Sequence, residues 1–284
     1  MKKVAKMTLE ELIEKVDDIP AFPQTVINIM LLLKEPRSAA VDIEREVMKD
    51  QGLTTKLLKM ANSAFYSGRR QIKTVADATV LLGFDTVQSL VLASTVGKVM
   101  EKELKGYSYE RNALWRQSQI SAIMARAIAK KAKYPNPDIA YTAGLLKDVG
   151  KVILDEFVHE SYQEILTMIS NEVMTYVVAE EEVLGFNHGQ VGARIVEKWN
   201  LASELVDAIE YHHKPFQSMD NIELVSIVHI SDGLVMMMGM HEGIDTLGHE
   251  FFTDAVKILN LDESDLNQIM MDVEKIVSEE QIFI

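Results

Sequence analysis

Apolar residues recur every three or four positions along most of the chain, which is the period of an amphipathic helix. In the segment that opens at Asp50, one face carries Leu53, Leu57, Leu58 and Ala61. No run alternates apolar and polar residues over the length expected of a half-buried strand. The pattern therefore predicts an all-α protein.

Polar caps and helix breakers mark the ends of several of these helices. Thr8 and Glu11 have the spacing of a capping box, and Pro20 is expected to close the helix that follows them. Gly83 suits the end of a helix, after which we expect Asp85 to cap the next one. In the second half of the chain the periodicity predicts further helices over residues 162–169, 176–184, 189–199, 204–212, 222–238 and 262–282.

The helical period breaks at residues 105–108, before a long helix that carries Trp115. The chain has 284 residues, which suits one large domain or two closely packed ones. We therefore expect two packed helical subdomains, residues 1–104 and residues 105–284.

Charge and cysteine content exclude several classes of protein. The formal net charge of −14 opposes the phosphates of nucleic acids and of membrane surfaces. Two short basic stretches, residues 68–70 (GRR) and 130–133 (KKAK), are read as solvated helix ends. Because the chain contains no cysteine, disulfides and thiolate metal sites are excluded. We expect neither a nucleic-acid partner nor a membrane.

The apolar segments are too short for targeting or membrane insertion. The first eight residues contain no apolar stretch of the kind found in secretory signals. The most apolar segment, residues 90–99, includes Lys98 and is shorter than the roughly 20 residues that a membrane helix needs. We expect a cytoplasmic protein.

Imidazoles and carboxylates on separate predicted helices form a candidate metal site. They are Asp148, His188, His212, His213 and Asp232. Such groups can converge on one ion inside a helical bundle. Spacing alone leaves other roles open, because His188 could cap a helix and His212 and His213 could interact with a helix dipole.

Several of these segments resemble known families. Residues 141–151 (YTAGLLKDVGK) are similar to the signature of HD-type phosphohydrolases. Residues 188–193 (HGQVGA) and 208–213 (AIEYHH) are similar to the downstream half of HD-GYP phosphodiesterases. The amino-terminal half resembles the HDOD family, the degenerate relatives of these enzymes, at residues 19–23 (IPAFP), 50–54 (DQGLT), 57–66 (LLKMANSAFY) and 81–84 (LLGF).

The resemblance implies an HD-like helical bundle for the second subdomain, and it also indicates where the chain departs from the enzymes. Lys147 stands where catalytic relatives have the histidine of the His-Asp pair, and Ser118 stands where they have an earlier metal histidine. Lys151 matches a lysine that helps to bind substrate phosphate. The five candidate ligands that remain could hold one divalent ion weakly, Fe, Mn or Zn, whereas a two-metal centre would be compromised.

These departures predict a non-catalytic regulatory module in a bacterial signalling pathway, acting through protein partners or a bound nucleotide. Lysine at neutral pH has no lone pair to offer a metal, so we expect Lys147 to replace the lost ion electrostatically beside Asp148 and Asp232. The alternative function is a residual metal-dependent phosphohydrolase or cyclic-dinucleotide phosphodiesterase.

Overall fold

The computed structural model describes residues 8–15, 22–67, 71–171, 174–246 and 251–279. Within these ranges the regular structure is helical, and the one β-type feature is an isolated bridge between Leu104 and Tyr109. The predicted all-α class is confirmed. Pro20 and the basic stretch at residues 68–70 lie outside the described residues.

The chain forms two compact units, and both are discontinuous in sequence. The larger unit comprises Met1–Ile19 and Met100–Met270, and the smaller comprises Pro20–Val99 and Met271–Ile284. The first helix, α1 (Leu9–Lys15), belongs to the larger unit, where Ile13 O accepts a hydrogen bond from Lys198 Nζ at 2.9 Å. We expected one boundary after residue 104, whereas each of the two units consists of two segments that are far apart in sequence.

The smaller unit contains short helices whose ends follow local capping rules. Asp50 accepts a hydrogen bond from Leu53 N at 3.0 Å, and Gly83 ends a helix with a φ of +89°. Asp85 lies inside a helix that begins at Phe84, so the prediction that it is a cap was wrong; Gly83 O itself accepts from Val87 N. The helices are α2 (Gln24–Lys34), α3 (Ala40–Val47), α4 (Gln51–Ala61), α5 (Ala64–Ser67), α6 (Val75–Leu82) and α7 (Phe84–Met100).

The larger unit holds the longer helices and all the candidate ligands. Its helices are α8 (Ala113–Lys131), α9 (Pro137–Leu146), α10 (Gly150–Asn171), α11 (Tyr176–Leu184), α12 (His188–Lys198), α13 (Ser203–Tyr211), α14 (Ile222–Met237) and α15 (Thr253–Ile258). Two 3-10 helices, Pro215–Gln217 and Ile244–Thr246, follow α13 and α14, and α16 (Glu263–Glu279) is the last described helix. The helix predicted at 162–169 is part of the longer α10.

Helices α8, α9 and α14 pack closely in the interior of this unit. A Cβ atom on Gly144 of α9 would lie 2.8 Å from Ser121 O on α8, so only glycine permits this approach. Ser231 on α14 donates through its Oγ to the same carbonyl at 2.7 Å. The packing fixes the end of α9 and the middle of α14 relative to each other.

The amino-terminal ends of α10 and α12 also touch. A Cβ atom on Gly150 would lie 2.0 Å from His188 O and 2.6 Å from Gly192 N. The contact sets the turn between α9 and α10 beside the start of α12, where His188 lies. Across the described ranges, no helix is both long enough and apolar enough to cross a membrane.

Candidate functional site

A cluster of buried ionisable side chains lies where the ends of several helices meet in the larger unit. Lys147 and Asp148 occupy the turn between α9 and α10, and Lys151 is in the first turn of α10. His188 begins α12, and His212 directly follows α13. The residues of the cluster that are at most 2% exposed are Lys147, Asp148, Lys151, His188, His212 and Asp232.

Two lysines neutralise the carboxylates at the centre of this cluster. Lys147 donates to Asp148 Oδ2 and lies with its Nζ 2.7 Å from Asp232 Oδ1. Lys151 Nζ is 2.8 Å from Asp148 Oδ1. Lys147 therefore bridges the two carboxylates, and both oxygens of Asp148 have an ammonium partner.

These contacts keep the charged forms in place despite burial. Burial by itself would raise the pKa of Asp148, but the charges of Lys147 and Lys151 outweigh it and hold that pKa well below its usual range. Burial would likewise lower the pKa of Lys147, yet Asp148 and Asp232 raise it above its ordinary value. The centre of the site is a set of fixed opposite charges.

Glu180, which no pattern in the sequence distinguishes, orients His188. The carboxylate of Glu180 lies 2.9 Å from His188 Nδ1 and accepts from the His188 backbone N at 3.0 Å. Tyr107 donates to the same carboxylate at 2.7 Å. Burial opposes the charge on His188, but Glu180 outweighs it and raises the pKa to about 9, so the ring is an imidazolium at neutral pH.

His188, His212 and His213 form a three-imidazole group, with one nitrogen of each ring within 4.8 Å of the others. His213 Nε2 lies 2.9 Å from His188 Nε2, which can donate to it. His212 uses Nδ1 to donate to Ile209 O at 2.7 Å, which assigns its lone pair to Nε2. Burial and the charge of Lys147 lower the pKa of His212 to about 3, so this ring stays neutral.

The donor set fits one metal ion better than two. Three imidazoles suit an ion such as Zn or Fe, although His188 would first lose its proton. Asp148 Oδ1 lies 3.4 Å from His188 Nε2 and 3.9 Å from His212 Nε2, but it is already paired with Lys151. Asp232 is held by Lys147. The structure thus brings three of the five predicted ligands together, with Asp148 beside them and Asp232 in an ion pair.

Ser118, predicted at the position of a lost metal histidine, is buried on α8. Its hydroxyl has no hydrogen-bond partner among the described residues. A neutral serine hydroxyl is a weak ligand in comparison with imidazole, so Ser118 does not restore a second metal position.

A polar cleft of about 270 Å³ opens beside His213. Its lining includes Glu181, Asn187, Glu210 and Lys214, and the Lys214 ammonium lies 2.7 Å from Glu181 Oε1. His213 is only partly buried, whereas His188 and His212 are fully enclosed. The three-imidazole group therefore borders solvent at His213.

The helical fold and the buried Asp-His cluster define a protein of the class related to HD phosphohydrolases. The family model of the HDOD domain matches residues 19–215, which is more than half of the chain. The chain belongs to the HDOD domain family, which confirms the resemblance seen in the sequence.

The chain is similar to a protein of Treponema pallidum and to a solved structure from Geobacter sulfurreducens. An uncharacterized protein of Treponema pallidum (strain Nichols) is 26% identical over 202 residues, and the match covers 70% of this chain but only 38% of that protein. An HDOD domain protein of unknown function from Geobacter sulfurreducens has a TM-score of 0.74 at 26% identity, covering 97% of this chain and 94% of its own.

Two further solved structures share the fold at 21% identity. One is a candidate phosphohydrolase from Shewanella amazonensis SB2B, with a TM-score of 0.72 and 93% of each chain covered. The other is a candidate signal transduction protein from Marinobacter aquaeolei VT8, with a TM-score of 0.73, covering 99% of this chain and 62% of that one. At this identity, the likeness establishes the fold alone.

Proposed function

We propose that this protein is a non-catalytic signal-transduction module of bacterial cytoplasm, acting through protein partners or a bound ligand. The observation that carries the proposal is the pair of ammonium groups on Asp148. Lys147 takes one carboxylate oxygen and Lys151 the other. A two-metal hydrolase needs a carboxylate that is free to coordinate its ions.

Displacing these lysines would be costly. Each is at most 1% exposed, and breaking a buried ion pair leaves an uncompensated charge in a medium of low dielectric constant. Lys147 cannot serve as a ligand in its ammonium form, and its pKa is raised rather than lowered. The buried cluster around Asp148 is therefore better suited to hold the helix ends together than to activate water.

The charge of the whole chain supports a protein or small-molecule partner over a nucleic acid. The net charge of −14 repels phosphate backbones, and the candidate signal transduction protein from Marinobacter shares the fold. The partner is therefore proposed to be a protein of a signalling pathway or a small ligand such as a nucleotide.

A second candidate function is favoured by the three-imidazole group. His188, His212 and His213 could hold one divalent ion, Fe, Mn or Zn, and the bound ion would act as a Lewis acid for hydrolysis of a phosphodiester such as a cyclic dinucleotide. In this case His213, which borders the cleft, would be the ligand nearest to an entering substrate.

Metal analysis and turnover distinguish the two functions. The purified chain would be stripped with a chelator, reloaded with Mn, Fe or Zn, analysed for metal, and assayed with bis(p-nitrophenyl) phosphate and cyclic di-GMP. We expect less than one ion per chain and no turnover above that of the His213→Gln variant. Stoichiometric metal with multiple turnovers, both lost in His213→Gln, would instead establish the hydrolase.

A further inference from the structure

The short helix α1 packs on α12 within the larger unit. Leu12 is fully buried and Ile13 is 8% exposed, although both belong to a helix of only seven residues. An isolated helix of this length is not stable in water, so α1 keeps its shape because it is docked. The surface of the larger unit under α1 is therefore one that accepts an amphipathic helix.

Two cations lie on one edge of α12 beside this contact. Arg194 and Lys198 are four residues apart, a spacing that places them on the same side of a helix. Lys198 Nζ donates to Ile13 O at 2.9 Å, which satisfies one of the carbonyls left without a partner at the end of α1. We call the surface that buries Leu12 and Ile13, together with this edge of α12, the α1 groove.

The acidic end of α1 acts on the second cation. Arg194 donates to Glu197 at 3.0 Å, and this bond raises the pKa of the guanidinium most, while the charges of Glu210 and of Glu10 on α1 raise it further. The first turn of α1 is acidic and exposed. The groove thus matches the charge of α1 at one end with Arg194 and its carbonyls at the other with Lys198.

We propose that the α1 groove is a docking surface for an acidic amphipathic helix of a partner protein, and that α1 fills it until such a helix displaces it. A partner helix with an acidic first turn and adjacent buried aliphatic residues can make the contacts that α1 makes. A longer helix would also bury more apolar surface and form more readily. The inference rests on the proposed function, since it gives a protein partner a surface and a chemistry.

Arg194 also links the groove to the polar cleft. Glu210 lines the cleft beside His213. Burial raises the pKa of Glu210, and the charge of Arg194 opposes that rise. A partner helix that changes the anions around Arg194 would therefore change the charge balance of the cleft.

The test uses a fluorescein-labelled peptide with the sequence of residues 6–18 (KMTLEELIEKVDD), whose binding to the full chain is followed by fluorescence anisotropy. In the parent chain α1 competes with the peptide. Leu12→Ser weakens that competitor, and because an occupied site binds with an affinity reduced by its open fraction, this variant should bind the peptide about tenfold more tightly. Leu57→Ser removes an equally buried leucine from the smaller unit and should bind the peptide as the parent does.

A second variant leaves the buried residues of α1 in place. Glu10→Lys changes an exposed side chain, and it should bind the peptide about threefold more tightly than the parent, as expected for the loss of a surface charge pair. Glu274→Lys, at an exposed position of α16, is the matched control and should have no effect.

The charge of the peptide tests the stated chemistry of the partner. A peptide that carries Glu10→Lys, Glu11→Lys and Glu14→Lys keeps the aliphatic residues but places cations against Arg194 and Lys198. It should bind the Leu12→Ser chain about tenfold more weakly than the acidic peptide, since like charges oppose docking.

Equal peptide affinity in the parent, Leu12→Ser and Glu10→Lys, or no binding to any of them, would overturn the inference, and so would equal affinity for the acidic and the basic peptide. A parent chain that sediments as a dimer, and as a monomer after Leu12→Ser, would also overturn it, because α1 of a second copy would then be the occupant. These measurements need neither metal nor turnover. Failure here is therefore distinct from failure of the proposed function, which is decided by metal content and hydrolysis.

Discussion

At the scale of single residues, Lys147 is the side chain that links the two buried carboxylates of the site. Its ammonium pairs with Asp148 and Asp232 in a region closed to solvent. Such a pair adds little net stability in comparison with a well-packed apolar core, but removing one partner is expensive because the other charges remain buried. The side chain is therefore expected to matter greatly for stability.

Replacing Lys147 with methionine tests this expectation. Lys147→Met keeps the apolar stem but leaves Asp148 and Asp232 without their shared cation, so the free energy of unfolding should fall by roughly 3 to 5 kcal/mol. Urea unfolding at pH 7 measures the change. Lys257→Met, which removes an exposed partner of Asp254, is the control and should have little effect. Equal stability of the two variants would contradict the structural role of Lys147.

Residue-scale prediction succeeded where a motif was local and failed where partners were distant. The resemblance in the sequence selected Asp148, His188 and His212, and all three lie in the buried cluster. Glu180 and Asp245 were missed. Asp245 meets Lys151 across 94 positions of sequence, and an isolated acidic residue carries no pattern that distinguishes it from a solvated one.

At the scale of elements, helix ends determine where the functional groups lie. Local capping was largely readable from the sequence: Glu11 N donates to Thr8 Oγ1 at 3.2 Å, and Thr8 N donates to Glu11 Oε2 at 2.9 Å, as the capping-box spacing predicted. The close contact between α10 and α12 was not readable, because it depends on which helices meet in space. Gly150 makes that contact possible.

The Gly150→Ala variant tests the importance of this contact. Alanine suits the helix, but its Cβ would lie 2.0 Å from His188 O, so the two helices must separate and the free energy of unfolding should fall by about 3 kcal/mol. Gly52→Ala in α4 is the matched control, since its Cβ would lie 3.3 Å from Asp50 Oδ1, which needs to shift by only a few tenths of an ångström. Its free energy of unfolding should stay within about 1 kcal/mol of the parent value. Similar losses in both variants would contradict the steric explanation.

At the scale of the whole molecule, the buried histidines link global stability to pH with opposite signs. The pKa of His188 is raised to about 9 by Glu180 against the effect of burial, whereas that of His212 is lowered to about 3 by burial and Lys147. In the unfolded chain both are near 6.5. Folding therefore favours the charged form of one ring and the neutral form of the other.

We expect the free energy of unfolding to be greatest near pH 6.5, where the contributions of both histidines are complete, and to fall on either side. The contribution of His188 is complete below about pH 6.5 and falls as the pH rises through 9, by up to about 3 kcal/mol. The contribution of His212 is complete above about pH 6.5 and falls as the pH drops towards 3. Urea unfolding from pH 5 to pH 10 measures both slopes.

The two slopes can be assigned by substitution. His188→Gln should remove most of the alkaline slope, and His159→Gln, at an exposed position on α10, should leave it unchanged. A parent chain of constant stability between pH 7 and pH 10 would show that His188 is not held as an imidazolium.

The sequence by itself determined the all-α class, many helix ends, the family and most of the ionisable residues of the site, because periodicity, caps and motifs are encoded by neighbouring residues. Only the tertiary structure decided how those residues pair. It placed Lys147 between two carboxylates, joined His188 to Glu180, and set Asp245 against Lys151. These choices arise from packing between distant segments, since burial fixes both the charge state of a side chain and the partners within its reach.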